Sequence, residues 1–415
     1  MRLHRRTRAA ALAASALTAA SLVACGTGSG DALTLWMYPV IADQAQSRDF
    51  WHKVEAGFER EYGVDLDIEL QPWEGRQEKL GAALMAGNGP DVVLLQSDMI
   101  PQYVGEKALR PVDDVIAGSS RAFPPAVVDA LKVSGQSYGV PLYRTVTTTV
   151  YNRKLFAEAG IPELPRTWDE VEAAAPKLAA HGIPVLDYSG STEETLNLTF
   201  YPLLWQAGGS VFTADGKKSA FASPEGVSAL RFLVDLKAMN GLPKDAATKR
   251  SGLADDAMVT GGAAMAHAMT ESAARNVIAA IGAQNVAIGL PLQDKTRVTF
   301  GTPGGLSLLR GAKNPDAARK LLAYLAAPAV VDELCAESGF FPPWAESAPP
   351  SADEVDKDFA QALPFTSAGD NHPQARKVMG LLAPHLQAAL LGQKTPERAL
   401  AEAAGEVDAL LGSGR

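Results

Sequence analysis

Phe50, Val54, Phe58 and Tyr62 recur every four residues, a helical stripe that stops at Gly63, and the period then changes. Val64, Leu66, Ile68 and Leu70 alternate with Asp65, Asp67 and Glu69, the two-residue repeat of a strand half exposed at a sheet edge. In front of this pair, Leu33-Thr34-Leu35-Trp36-Met37-Tyr38 is a β-prone run ended by Pro39, so the order is strand, helix, strand. A second helix is predicted over 77–86, stopped by Gly87-Asn88-Gly89-Pro90. Asp91-Val92-Val93-Leu94-Leu95 then has the short apolar composition of a strand covered on both faces. Together these predict an open, doubly wound α/β lobe.

The alternation resumes further along. Residues 146–151 form a strand rich in β-branched side chains, 154–159 form a short helix before Gly160, and Thr167-Trp168-Asp169-Glu170 is a capping box opening another helix. A strand is expected over 183–188, a helix over 201–206 and a hairpin turn at Asp215-Gly216, and Ser223-Pro224 starts a long helix to 239. Strands over 286–290 and 306–309 follow, Asn314-Pro315 starts a helix, and from 374 the chain is almost wholly helical. The second lobe is therefore also α/β, with more helix.

Residues 1–24 belong to neither lobe. Arg2, Arg5, Arg6 and Arg8 precede an Ala/Leu/Val segment of secretory length, shorter than the roughly 20 residues of a spanning helix. Leu22-Val23-Ala24-Cys25 resembles a bacterial lipobox, which implies lipidation of Cys25. Arg5-Arg6 leaves Sec and twin-arginine export both open. Residues 25–31 read as a flexible linker. The whole chain carries a net charge of −9; its first 24 residues hold four arginines and no acid, so the remainder stands at −13. That balance argues against nucleic acid as a partner. Once Cys25 is assigned to the anchor, Cys335 is left without a disulfide partner, and its helical setting reads as a small buried hydrophobe.

The six histidines fall in no H-x-x-x-H or H-E-x-x-H spacing, and neither a phosphate-binding G-x-x-x-x-G-K-[ST] nor a G-x-S-x-G elbow is present. Acidic pairs such as Asp113-Asp114, Glu193-Glu194 and Asp255-Asp256 have the composition of solvated faces rather than of glycosidase carboxylates. No metal, cofactor or catalytic group is expected.

Several stretches in order carry a family resemblance: Gly87-Asn88-Gly89-Pro90-Asp91, Tyr138-Gly139-Val140-Pro141 with Tyr151-Asn152-Arg153-Lys154-Leu155-Phe156, Pro165-Arg166-Thr167-Trp168, Gly261-Gly262-Ala263-Ala264-Met265, Gly304-Gly305-Leu306, Lys313-Asn314-Pro315-Asp316-Ala317-Ala318 and Thr395-Pro396-Glu397. From 33 to 411 the chain resembles the family 1 extracellular solute-binding proteins, the sugar-binding lipoproteins of bacterial ABC importers, similar to maltose-binding protein. The resemblance implies a two-lobed, type II periplasmic-binding-protein-like α/β fold with an interlobe ligand cleft. The expected lobes are 32–142 plus 300–342 and 143–299 plus 343–415. It also implies a monomer held to the extracytoplasmic face of the cell membrane by an acyl anchor, with a saccharide ligand and a permease as partners. The same fold binding a non-sugar solute, and a cell-surface glycosidase, are the rival readings.

Sugar recognition needs aromatic faces and planar polar groups. At the end of the first strand stand Trp36 and Tyr38, with Trp36 equally readable as core; Trp73 and Glu74 follow the second strand. Ser97 and Asp98 follow the buried strand as hydroxyl partners or as an N-cap. Tyr143, Arg144, Gly304, Phe341 and Trp344 fall where the resemblance implies crossings between lobes, and Tyr201 and Trp205 share a helix face for ligand or packing. Where the family often has a stacking Trp, this chain has Met269-Thr270-Glu271, which makes Glu271 a candidate for a hydroxyl or an amino group, and His372 replaces a further ligand aromatic.

Overall fold

The computed structural model describes residues 32–251, 256–344 and 349–413. The chain builds two lobes around separate sheets. In the first, β1 (Leu33–Met37) lies between β2 (Leu66–Leu70) and β3 (Val92–Gln96), parallel to both. Two helices fill the connections, α1 (Gln44–Tyr62) and α2 (Arg76–Ala86). Asp43 caps the start of α1 by accepting from the Ala45 and Gln46 amides, and Gly63, in the left-handed region at φ 66°, ends it. Phe50, Val54 and Phe58 of α1 pack with Leu33, Leu35 and Leu94 on one side of the sheet. Trp36, Leu80, Val93 and Leu95 pack on the other, so β3 is covered on both faces. β2 is the edge strand that its alternation predicts.

Next to β3 lies the strand Pro303–Leu309, antiparallel to it and paired on its other side with Val140–Arg144 and Leu109–Arg110. The second lobe holds a smaller antiparallel sheet, Thr147–Asn152 between Val286–Gly289 and Met265–Thr270. Its main core joins Trp168 and Val171, Phe232 and Leu233, and the apolar faces of the C-terminal helices Ala375–Leu390 and Pro396–Ser413. Thr167 and Glu170 form the expected capping box, and Ser223 caps the helix Pro224–Ala238 through the Gly226 amide.

Two expected strands shrink. Over 183–188 the chain joins the sheet through a bridge between Leu186 and Met265, with the Asp187 amide donating to Met265 O at 2.7 Å and Pro184 O accepting from the Ala264 amide at 3.0 Å. The Asp215-Gly216 turn closes a single bridge between Phe212 and Ser219.

Three segments pass between the lobes and are tied side by side. Arg144 and Phe341 exchange backbone hydrogen bonds of 2.7 and 3.0 Å. The Thr145 amide donates to Thr302 O at 3.0 Å, and the Thr147 and Thr299 hydroxyls meet at 2.6 Å. Tyr143 and Trp344, which the sequence reading gives to the second lobe, pack their rings into the core of the first. Cys335 is buried in the helix Pro328–Ser338, where burial pushes its thiol up.

Glu271 opens the helix Glu271–Ile281 and lies against Gly339, with 7% of its surface exposed. Its carboxylate accepts from Arg275 Nε at 2.8 Å, and the same guanidinium bonds Asp353 at 2.9 Å and Asp356 at 2.5 Å. Burial, with Asp356 alongside, holds the Glu271 carboxyl up at about 8. The folded protein therefore keeps a proton that the unfolded chain loses near the ordinary glutamate value of ~4.3, and stability falls as pH rises through that window. Glu271→Gln should remove this part of the loss: urea midpoints measured from about pH 6 to 9 should decline less in the variant than in the parent.

Candidate functional site

The ends of β1, β2 and β3 face the second lobe across a cleft, the position where open α/β sheets present ligand groups. After β2 the chain turns through Trp73, whose indole Nε1 donates to Pro39 O at 3.3 Å and whose ring stacks on Tyr38 at 4.7 Å and 21°. The Arg76 guanidinium, from the first turn of α2, lies 5.1 Å from the Trp73 ring centre and 5.7 Å from that of Tyr38. It also donates to Gln96 Oε1 at 2.7 Å. Burial lowers the Arg76 pKa and raises that of the Tyr38 phenol.

From the end of β3, Asp98 reaches across. Arg376, in the first turn of Ala375–Leu390, donates to its Oδ1 at 3.1 Å and stands in ion-pair contact with its Oδ2 at 2.9 Å, and Asn197 Nδ2 donates to it at 3.2 Å. Arg376 also bonds Gln96 at 3.2 Å, and Ser97 Oγ donates to Ala368 O at 3.1 Å while meeting the Thr302 hydroxyl at 2.7 Å. The lobes are thus in direct polar contact. On the second-lobe side, Asn197 Oδ1, Tyr201 OH, Asp370 Oδ2, Gln374 Oε1 and Arg376 Nε are buried without a hydrogen-bond partner. Buried polar atoms are normally paired, so their concentration here marks a surface built to meet something polar. A cavity of about 160 Å³ within the second lobe, lined by Tyr188, Thr199, His267, Met269 and Thr270 among others, is smaller than a typical ligand pocket of ~300 Å³ or more. The interlobe cleft is the candidate because the unpartnered polar atoms gather there.

Of the residues singled out from sequence, Trp73, Ser97 and Asp98 stand at this cleft, and Glu74 is exposed on the turn between Trp73 and α2. Tyr38 and Tyr201 are each 1% exposed and belong to the cores of the first and second lobe; Tyr38 backs the Trp73 ring, and Tyr201 brings an unpartnered hydroxyl. Trp36 does not share a face with Tyr38. β1 ends at Met37, so the alternation is broken before Tyr38, and Trp36 packs under Lys79 in the core. Trp344 is also core: it stacks on Phe123 at 5.1 Å and donates to Asp332 at 3.0 Å. Phe341 packs into a second-lobe cluster with Val146 and Phe359.

Tyr143 is buried against Phe340, and a Cβ at Gly304 would overlap its ring, so that glycine serves packing. Arg144 donates to Pro342 O at 3.3 Å and lines a hinge groove of about 350 Å³ with Thr145, Thr302 and Thr366. Trp205 leans on the second-lobe core, His372 stacks on Phe212 at 4.2 Å, and the Glu271 carboxylate is committed to Arg275 rather than offered to a ligand. Cys25 lies outside the described residues. Sequence reading missed Arg76, Gln96, Asn197, Asp370 and Arg376. Gln96 alone had a visible signal, as the polar residue that ends the apolar run of β3.

Asp98 is almost fully buried, and removing one partner of such a pair costs about 3–5 kcal/mol by stranding the other charge. Here the cost falls on the closed arrangement, because parting the lobes rehydrates Asp98. Arg376→Gln is therefore expected to enlarge the radius of gyration of the protein without ligand in small-angle scattering, while leaving its circular dichroism unchanged.

Residues 39–332 match the bacterial extracellular solute-binding protein family. The diacetylchitobiose binding protein DasA of Streptomyces coelicolor is 27% identical over 244 residues, 54% of this chain and 55% of the relative. A solved ABC transporter solute binding protein of Thermotoga lettingae, with α-D-tagatose bound, is 26% identical; the match covers 92% of this chain and 100% of that one, with a TM-score of 0.76. The GacH receptor of Streptomyces glaucescens, solved unliganded and with acarbose, is similar in fold at 21% identity and a TM-score of 0.78, covering 92% of this chain and 98% of its own. The family match spans well over half of the chain, and the chain belongs to the bacterial extracellular solute-binding protein family.

Proposed function

We propose that this chain is the extracytoplasmic receptor of an ABC importer, that it binds a saccharide between its lobes without chemical turnover, and that it hands the sugar to a permease. The observation that carries the reading is the pairing of a stacked aromatic platform, Tyr38 on Trp73, with the unpartnered polar atoms of Asn197, Tyr201, Asp370, Gln374 and Arg376 across the cleft. A pyranose has one face of C–H groups and a rim of hydroxyls, and these two surfaces have the matching chemistry. Relatives that bind diacetylchitobiose, tagatose or acarbose support the same class.

Calorimetry and thermal shift with mono- and oligosaccharides test the reading. A bound sugar at ~1000 times Kd adds roughly 4 kcal/mol of apparent stability. Trp73→Ala should weaken binding by on the order of thirtyfold, about 2 kcal/mol, as loss of an aromatic anchor does. A broad carbohydrate panel without any shift would favour a non-sugar solute.

No helix among the described residues is long and apolar enough to cross a membrane. Attachment is assigned to lipidation at Cys25, on the strength of Leu22-Val23-Ala24-Cys25. Stable anchoring generally takes two acyl chains, so Cys25→Ala should release the protein from the membrane fraction and abolish palmitate labelling. Retained labelling would sink the anchor assignment.

A further inference from the structure

The unpartnered atoms of the cleft are not an even mixture. Asn197 Oδ1 and Gln374 Oε1 are acceptors, Asp370 Oδ2 belongs to a carboxylate, the Tyr201 hydroxyl can accept or donate, and Arg376 Nε is the lone obligate donor among them. The amide of Asn197 is not free to turn round, because its Nδ2 already donates to Asp98, whose carboxylate only accepts. Asn197 and Tyr201 are each 1% exposed, so these are built positions rather than surface groups. Gly369, in the left-handed region at φ 84°, backs onto Asn197, and the charge of Asp370, the next residue, is felt at Tyr201.

Charge points the same way. Asp370 accepts no hydrogen bond and joins no ion pair among the described residues, and the charged group that acts on it is another carboxylate, Asp98. Both guanidinium groups of the cleft are committed elsewhere. Arg376 is held by Asp98 and Gln96, while Arg76 is held by Gln96 and by the faces of Tyr38 and Trp73. An acceptor-rich edge with an unneutralised carboxylate is poorly matched to a hydroxyl, which brings one donor. It is well matched to an ammonium, which brings three and a positive charge.

We propose that the saccharide carries a free, protonated amino group, received by Asp370 with Asn197 Oδ1 and the Tyr201 hydroxyl. This rests on the saccharide reading above and narrows it. Burial beside Asp98 holds the Asp370 carboxyl up at about 6, and an ammonium at this position relieves that penalty.

The test is calorimetry of the whole protein near neutral pH against matched sugars of gluco, galacto and manno configuration, as mono- and disaccharides. Each is offered with a free amine, an N-acetylamino group or a plain hydroxyl. The expected result is an amino sugar binding at least about tenfold more tightly than its acetylated and hydroxyl counterparts. In Asp370→Asn, with folding checked by its melting temperature, that preference should shrink to roughly threefold or less. If a hydroxyl or N-acetyl sugar binds the parent protein as tightly as every amino sugar, the amino assignment is overturned and the saccharide reading stands. If no sugar binds, both are overturned.

Discussion

Bringing two polar faces together strips water from both, and every group then needs a new partner or the contact costs energy. Asp98 and Arg376 are where this constraint is met most fully. The carboxylate at the end of β3 takes one hydrogen bond from the guanidinium, with its other oxygen in ion-pair contact, and one from Asn197, and Gln96 takes the guanidinium's next. This net joins the lobes directly. It leaves the adjoining edge, from Asn197 through Tyr201 to Asp370, with polar atoms unmatched. One part of the cleft is thus closed by the protein on itself, and in the proposed reading the part beside it receives the ligand's donors. Asn197 would then serve both, since it gives its nitrogen to Asp98 and has its oxygen on the unmatched edge.

The crossings that join the lobes are tied to one another in a bundle. Their threonine hydroxyls and backbone amides bond one crossing to the next, Thr145 to Thr302 and Thr147 to Thr299 and Phe300. Tyr143, Phe340 and Trp344 anchor that bundle in the first lobe, while Phe341 and Val146 anchor it in the second.

Much of the fold is legible in the sequence because its signals are local. The four-residue stripe ending at Phe58 and Tyr62, the alternation of β2, and the caps at Thr167 and Ser223 each declare an element within a few residues. The site is less legible. Asp98 stands out as a polar residue after a buried strand, but its partner Arg376 lies far along the chain, and no spacing rule connects them. Aromatics mislead for a different reason. Trp36 and Trp344 have the chemistry of a sugar platform and the volume of a core residue, and only the point where β1 ends, or the presence of Phe123 opposite, decides between the two. Glu271 failed as a ligand residue for a local cause, Arg275 one turn along its own helix.

The position of the strand Pro303–Leu309 has a consequence for how the chain matures. β3 pairs with it, Leu94 opposite Leu306, so the first lobe cannot finish its sheet until roughly two hundred further residues have been made. Through that interval the Val92-Val93-Leu94-Leu95 strand carries an open edge, the surface most prone to pair with another chain. The amino-terminal lobe begins first and is completed late. A nascent chain of this topology therefore exposes that edge until about three quarters of it has been made.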